Sequence, residues 1–328
     1  MSITDRRRRG SALLAVLWLS AALSAIAIAL ADTVRGEAER SATAVDDLRS
    51  HNLAEGGLRR ALLYMWWRRG HPDVPRYQSL GPYYTFDFPE GQTVVEIIPE
   101  TSKLNINSAD PNDLFKLLMN LGVPDSRAQQ ITAAIVDWRS PPSPMPTPFD
   151  VFYQTLRPPY AAAHAAFQDV EELLSVEGVT PDLFYGAWQP APADEARRLL
   201  RREGLEDCLS VFGSTGLFDV NTAPPPVLAT AGIPPAGIAA LVQQRRIQPF
   251  LTEEDLAPFA GVAGPAFGRL RIGGVTMFTL KSTARLRLVN GQLSDLRRTV
   301  GALVKFTPTG FADPYHVLRW YDSMEATP

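Results

Sequence analysis

Residues 6–31 read RRRRGSALLAVLWLSAALSAIAIALA, and their order decides how the rest of the chain is built. Four arginines, Arg6 to Arg9, stand directly before Gly10, and from Ser11 to Ala31 no side chain is charged. An apolar run of about 20 residues crosses a bilayer as a helix. Cationic residues hold their flank in the cytoplasm, so the rest of the chain is expected on the far side of an inner membrane, in the periplasm.

Three fates are open to this segment. A secretory signal peptide would be removed at the small residues Ala29-Leu30-Ala31, before Asp32. An uncut signal anchor would stay whole. A cut between Gly10 and Ser11 would remove residues 1–10 and leave the apolar run in the mature chain. The residues behind the run favour the third fate. Asp32 to Arg69 contains no proline, and Val45, Leu48, Leu58, Leu62 and Met65 recur at helical spacing among Arg35, Glu37, Glu39, Arg40, Asp46 and Asp47. The pattern predicts one long helix: residues 11–31 in lipid and residues 32–70 as an amphipathic continuation, with Gly56-Gly57 as a bend.

Tyr83 to Phe88 and Thr93 to Ile98 alternate around Pro89-Glu90-Gly91, the pattern of a β-hairpin. Near the other end, Thr276 to Val289 and Leu296 to Phe306 flank the turn signal Asn290-Gly291, and Tyr315 to Tyr321 reads as an edge strand. Residues 71–104 and 275–328 are thus expected to form the two parts of one antiparallel sheet. Between them, residues 105–274 are rich in Pro and Ala and helical in pattern. The expectation is an α+β fold, a long N-terminal helix packed on an antiparallel sheet, with an inserted all-α domain.

The insert contains an internal repeat, at about 105–186 and 219–270. Asn107-Ser108-Ala109 opens one copy and Asn221-Thr222-Ala223 the other. Leu121-Gly122-Val123-Pro124 matches Ala231-Gly232-Ile233-Pro234, and each continues into an apolar helix ending at Arg139 or Arg246. Phe167, Leu173, Gly178 and Phe184 then match Phe250, Leu256, Gly261 and Phe267 at equal offsets. Each copy reads as a helix–glycine turn–helix unit of the helix-hairpin-helix kind. Such turns hold a DNA phosphate on backbone N–H groups, which makes a membrane-anchored DNA-uptake protein the alternative function. Charge opposes it. From Asn105 to Val275 there are 19 acids and 12 Lys or Arg, a net of −7, where a phosphate binder is locally basic. No nucleic-acid partner is expected.

Composition narrows the remaining classes. The chain has 328 residues, a net charge of −3 and one cysteine, Cys208, so no internal disulfide forms and the thiol reads as a small buried hydrophobe. The four histidines (His51, His71, His164, His316) stand without metal-ligand spacing. No nucleophile–base pair or phosphate-loop pattern is present. Carboxylates such as Glu171, Glu172 and Glu254 read as solvated or helix-start residues. No catalysis and no cofactor are expected.

Glycine between an arginine cluster and an apolar helix resembles the type IV prepilin leader. With RGSALLAVLWLSAAL at the start, FQDVEELLSVEGVTPDLF after the Pro-rich loop and FDVNTAPPPVL opening the second repeat, the whole order resembles the type II secretion system minor pseudopilin K family. The resemblance implies a non-catalytic subunit at the tip of a periplasmic filament, supporting protein export across the outer membrane. It implies a prepilin peptidase acting between Gly10 and Ser11, possible N-methylation of Ser11, and partnership with minor pseudopilins of the I, J and H types and with the major pseudopilin. Most pilins carry glutamate at the fifth mature position, and here that position is Ala15, an absence that is the habit of the K type. One departure concerns calcium. The family often carries an Asp-rich loop where this chain reads Asp137-Trp138-Arg139-Ser140-Pro141, leaving Asp137 and at most Asp150. Calcium takes six or more oxygens, so no metal, or only weak calcium binding, is expected.

Overall fold

The computed structural model describes residues 3–71, 74, 81–190, 199–274, 276–308, 310–311 and 313–324. Helix α1 runs unbroken from Ile3 to Gly70, about 100 Å at 1.5 Å per residue. Its two halves meet different surroundings. Residues 14–49 are exposed or nearly so, including Val45 and Leu48, whereas Leu53, Ala54, Leu58, Ala61 and Leu62 are buried. The amphipathic face read from residue 45 onward is therefore covered only from about residue 50.

The cover is a five-stranded antiparallel sheet whose strands, in spatial order, are Tyr83–Phe88, Gly91–Pro99, Met277–Leu286, Arg298–Phe306 and Tyr315–Tyr321. Strands β1 (Tyr83–Phe88) and β2 (Gly91–Pro99) form the first hairpin, in register from Tyr83 opposite Glu96 to Phe88 opposite Gly91. The chain leaves the sheet through a 3₁₀ turn, Glu100–Ser102, into β3 (Leu104–Asn105), α2 (Pro111–Asn120), α3 (Asp125–Arg139) and α4 (Pro148–Thr155). A 3₁₀ helix, Val170–Ser175, leads to α5 (Pro181–Tyr185), β4 (Ala187–Pro190), β5 (Leu199–Arg202), α6 (Leu205–Cys208) and β6 (Leu209–Ser210). Then come β7 (Phe218–Asp219), α7 (Pro225–Thr230), α8 (Pro235–Ile247), α9 (Glu253–Leu256), α10 (Ala260–Ala263) and β8 (Leu270–Arg271). The chain returns to the sheet as β9 (Met277–Leu286), β10 (Arg298–Phe306) and β11 (Tyr315–Tyr321).

β2 pairs with β9 although 177 residues separate the end of one from the start of the other, so the insert leaves and re-enters between neighbouring strands. Two hydrophobic cores result. One lies between α1 and the sheet, built on Leu58, Leu62, Val95, Leu280, Val304 and Phe306. The other fills the insert, around Leu114, Leu117, Ile135, Tyr153, Phe184, Phe218 and Phe250.

Two expectations need correcting. The insert is not all-α. It contains the parallel ladders β3·β6 and β7·β8, formed where the chain ends that enter and leave each group of helices lie close enough to pair, and the antiparallel ladder β4·β5. Gly261, matched to Gly178 in sequence, lies inside α10, while the left-handed glycine of that region is Gly264 (φ +64°). Gly57 lies inside continuous α1 and marks a close approach: an added Cβ would meet Thr93 Oγ1 and Ser282 Oγ, at 2.9 Å for the latter. Most of the 71–82 connection lies outside the described residues.

Candidate functional site: the anchor helix, the joint and the insert

Among the described residues α1 is the one helix long and apolar enough to cross a membrane, over a stretch beginning at Leu14. Gly10 and Ser11 lie within its backbone, and Ala15 is exposed on it. Trp18 and Leu19 are also exposed. Such a surface loses heavily in water and is satisfied by lipid or by other apolar helices. Nothing acidic interrupts it between Leu14 and Ala31.

At the junction of sheet and insert, Glu100 is 4% exposed. It accepts hydrogen bonds from Ser210 Oγ on β6 and from Thr279 Oγ1 on β9, the latter at 2.6 Å. One carboxyl thus ties the first strand-to-insert turn to both bodies. Lys103 Nζ donates to Glu206 O at 3.1 Å. Farther out, Arg319 of β11 reaches Asp169 and Glu171, at 2.8 Å for the latter, with its guanidinium over the Tyr321 ring. Burial, and then the neighbouring Glu206, raises Glu171 above the usual carboxylate range. Glu171, read as a helix-start residue, is that and an ion-pair partner too.

Within the insert the same bonds occur twice. Asn107 donates to Phe167 O at 2.9 Å and accepts from Phe167 N–H at 2.8 Å; Asn221 does the same with Phe250 at 2.8 and 2.9 Å. Arg139 donates to Ile106 O and Ala109 O at 2.5 and 2.6 Å. Its counterpart is Arg245, not Arg246, donating to Val220 O and Ala223 O at 3.0 and 2.8 Å. Both arginines are pushed below their ordinary pKa by burial. Gly122 (φ +77°) and Gly232 (φ +94°) close the first helix of each group. Gly122 N–H goes to Met119 O and Val123 N–H to Leu118 O; Gly232 N–H goes to Ala229 O and Ile233 N–H to Leu228 O. The next positions, Pro124 in one turn and Pro234-Pro235 in the other, have no N–H at all.

A third cluster joins residues distant in sequence. His164 Nε2 lies 2.9 Å from Asp150 Oδ1, its Nδ1 lies 3.3 Å from Ser140 O, and Thr147 Oγ1 donates to Asp137 Oδ2 and Asp150 Oδ2 at 3.2 Å each. The capping bond from Thr147 N–H, then the bond from His164, hold Asp150 below the usual carboxylate range; the Asp150 bond raises His164. Asp137, Asp150 and His164 offer ligand atoms within 4.8 Å of one another. Two carboxylates and an imidazole nitrogen are a poor set for calcium. Sequence spacing gave no sign of His164, because long-range folding alone brings it to Asp150. Its backbone φ of +44° is the one positive value at a non-glycine among the described residues. Cys208 is fully buried, as its composition suggested.

A long helix, exposed and apolar from Leu14 to Ala31, carrying an antiparallel head with a large insert between neighbouring strands, defines a pilin-like α+β subunit whose N-terminal helix is long and apolar enough to cross a membrane. Residues 100–187 match the family model described as Type II secretion system (T2SS), protein K. The Type II secretion system protein K of Klebsiella pneumoniae is 28% identical over 204 residues, covering 55% of this chain and 61% of that protein. Its counterpart in Pectobacterium carotovorum subsp. carotovorum is 40% identical over 78 residues, covering 23% and 24%. The matched stretches thus span less than two thirds of these relatives' length. A chain in the crystal structure of the GspK-GspI-GspJ complex from the enterotoxigenic Escherichia coli Type 2 Secretion System shares the fold, with a TM-score of 0.53 and 17% identity over 88% of this chain and all of that one. The resemblance to protein K read from the sequence therefore holds for the family model, for relatives and for the fold.

Proposed function

We propose that the chain is a minor pseudopilin placed at the tip of a type II secretion filament, non-catalytic, single-pass in the inner membrane, with head and insert in the periplasm. The observation that carries this reading is the uncovered apolar stretch of α1 from Leu14 to Ala31, continuous with a C-terminal part that seats the sheet. A helix built that way is kept rather than discarded, so processing falls between Gly10 and Ser11 and Ser11 becomes the N-terminus, a candidate for methylation. Ala15 leaves no carboxylate for a subunit stacked above, which suits a terminal position. Partners of the I and J types are supported by the complex in which the similar fold occurs; the H type and the major pseudopilin follow from the same role.

The insert is read as two copies of one helix-hairpin-helix-like unit, supported by the paired Asn–Phe and Arg–carbonyl bonds. These units are structural rather than DNA-binding. In each turn the glycine N–H and the N–H after it close on the preceding helix and proline follows, and the insert is acidic. The loop after Arg139 takes no tightly bound calcium.

Mass spectrometry of the mature protein tests the central claim. A chain starting at Ser11 is expected. A start at Asp32 would make it a secreted soluble protein, and a retained Met1 a plain anchor. Calorimetric titration of the full chain is expected to show no tight calcium binding.

A further inference from the structure

We propose that the groove between α2, α3 and α4 is a docking site for a basic, apolar segment of a partner protein. This goes beyond the assembly reading and does not depend on it.

The groove has a volume of about 660 Å³ and an apolar floor formed by Phe115 of α2, Ala133 and Val136 of α3 and Phe149 of α4. Polar groups stand around it: Asn112, Gln129 and Asp137. Thr132, also in its wall, is 8% exposed, and its Oγ1 has no hydrogen-bond partner. A buried hydroxyl without a partner marks a place where the protein's own hydrogen bonding is incomplete. On α4 and the connection before it, Val151 is 58% exposed and Met145 76% exposed. Apolar residues gathered around a concave floor mark an interaction site more often than isolated ones do.

Charge chooses the occupant. Residues 105–186 hold ten acids and four Lys or Arg, a net of −6. Three of those cations are engaged locally: Arg139 on Ile106 O and Ala109 O, Arg127 on Gly178 O, and Lys116 beside Asp113. Asp137 lies in the groove wall, Asp110 caps α2, and Asp125 opens α3 and holds the Gln129 amide at 2.5 Å. An acidic or lipid-phosphate ligand would be repelled. A segment that places leucine-like side chains on Phe115, Val136 and Phe149, with lysine or arginine toward Asp137, satisfies both the floor and the rim.

The test uses the full chain in neutral phosphatidylcholine nanodiscs and three fluorescein-labelled decapeptides, of alternating leucine with lysine, with glutamine or with glutamate. Fluorescence anisotropy is expected to show the lysine peptide binding at least about tenfold more tightly than the glutamate peptide, with the glutamine peptide between. Ala133→Trp fills the groove without changing charge and is expected to weaken the lysine peptide by about tenfold or more, while thermal melts confirm that the variant folds. Asp137→Asn is expected to cost a few-fold and to flatten the salt dependence. Equal binding of lysine and glutamate peptides, full affinity in Ala133→Trp, or no binding by any peptide overturns the proposal. Undiminished lysine-peptide affinity in Ala133→Trp would assign the attraction to the acidic surface at large.

Discussion

His164 and Gly57 both depend on neighbours that lie well apart from them in sequence. His164 has acceptors opposite both ring nitrogens, Ser140 O and Asp150 Oδ1, an arrangement that suits the imidazolium, whose two N–H groups both donate. Asp150 raises His164 above its ordinary value of 6.5, so the stability it contributes is complete below that value and is lost as pH rises through the raised one. Asp150 is depressed below 3.8, so its share is present above that value and is lost as pH falls through the depressed one. His164→Gln is therefore expected to cost about 0.5–2 kcal/mol near pH 5 and less near pH 8, as thermal melts at the two pH values will measure. Gly57 is the second case. Thr93 and Ser282 lie against it, and neither hydroxyl has a hydrogen-bond partner. Gly57→Ala is expected to destabilise by about 1–3 kcal/mol, with part recovered in the double variant that adds Thr93→Ala. Chemical denaturation of the single and double variants checks this coupling.

Among the elements, the joint between sheet and insert is the informative one. Its two fastenings look alike on paper and differ in energy. Arg319 and its acids are about 40% exposed on both sides, so water screens them and the pair contributes about 0.2–1 kcal/mol. Glu100 is buried and accepts from two hydroxyl donors. Glu100→Ala is expected to cost about 1–3 kcal/mol by leaving those donors unsatisfied, and to loosen the insert first. Hydrogen exchange should report that loosening in β6 and at the start of β9 before it spreads to β2. Arg319→Ala, by contrast, should leave the melting temperature almost unchanged. The repeated units carry a related lesson: the arginine that closes the second copy is Arg245, one position before the sequence match, because hydrogen-bond geometry selects the residue facing Val220 O and Ala223 O.

For the molecule as a whole, exposure of α1 sets behaviour in solution. From Leu14 to Leu30 its large apolar residues are more than half exposed, which no monomer tolerates in water. A chain beginning at Asp32 is expected to stay monomeric in buffer at concentrations where the full chain aggregates without detergent; sedimentation velocity measures the difference. A full chain that remained monomeric without detergent would remove the need for lipid or partner helices.

The sequence by itself determined the features that rest on local rules. The uncharged run after Arg9 announced, through its length alone, a helix long and apolar enough to cross a membrane. Strict alternation placed β1, β2, β9, β10 and β11 within a few residues of where they lie, and the duplicated asparagines marked equivalent positions that do form equivalent bonds. Only the tertiary structure decided where α1 passes from bare to covered, that Gly57 serves a close approach, that a short parallel ladder ties the two ends of each half of the insert, and that His164 meets Asp150. Each of these depends on contacts between residues far apart along the chain, and a linear pattern records a residue's own periodicity but not the neighbour that long-range packing brings to it.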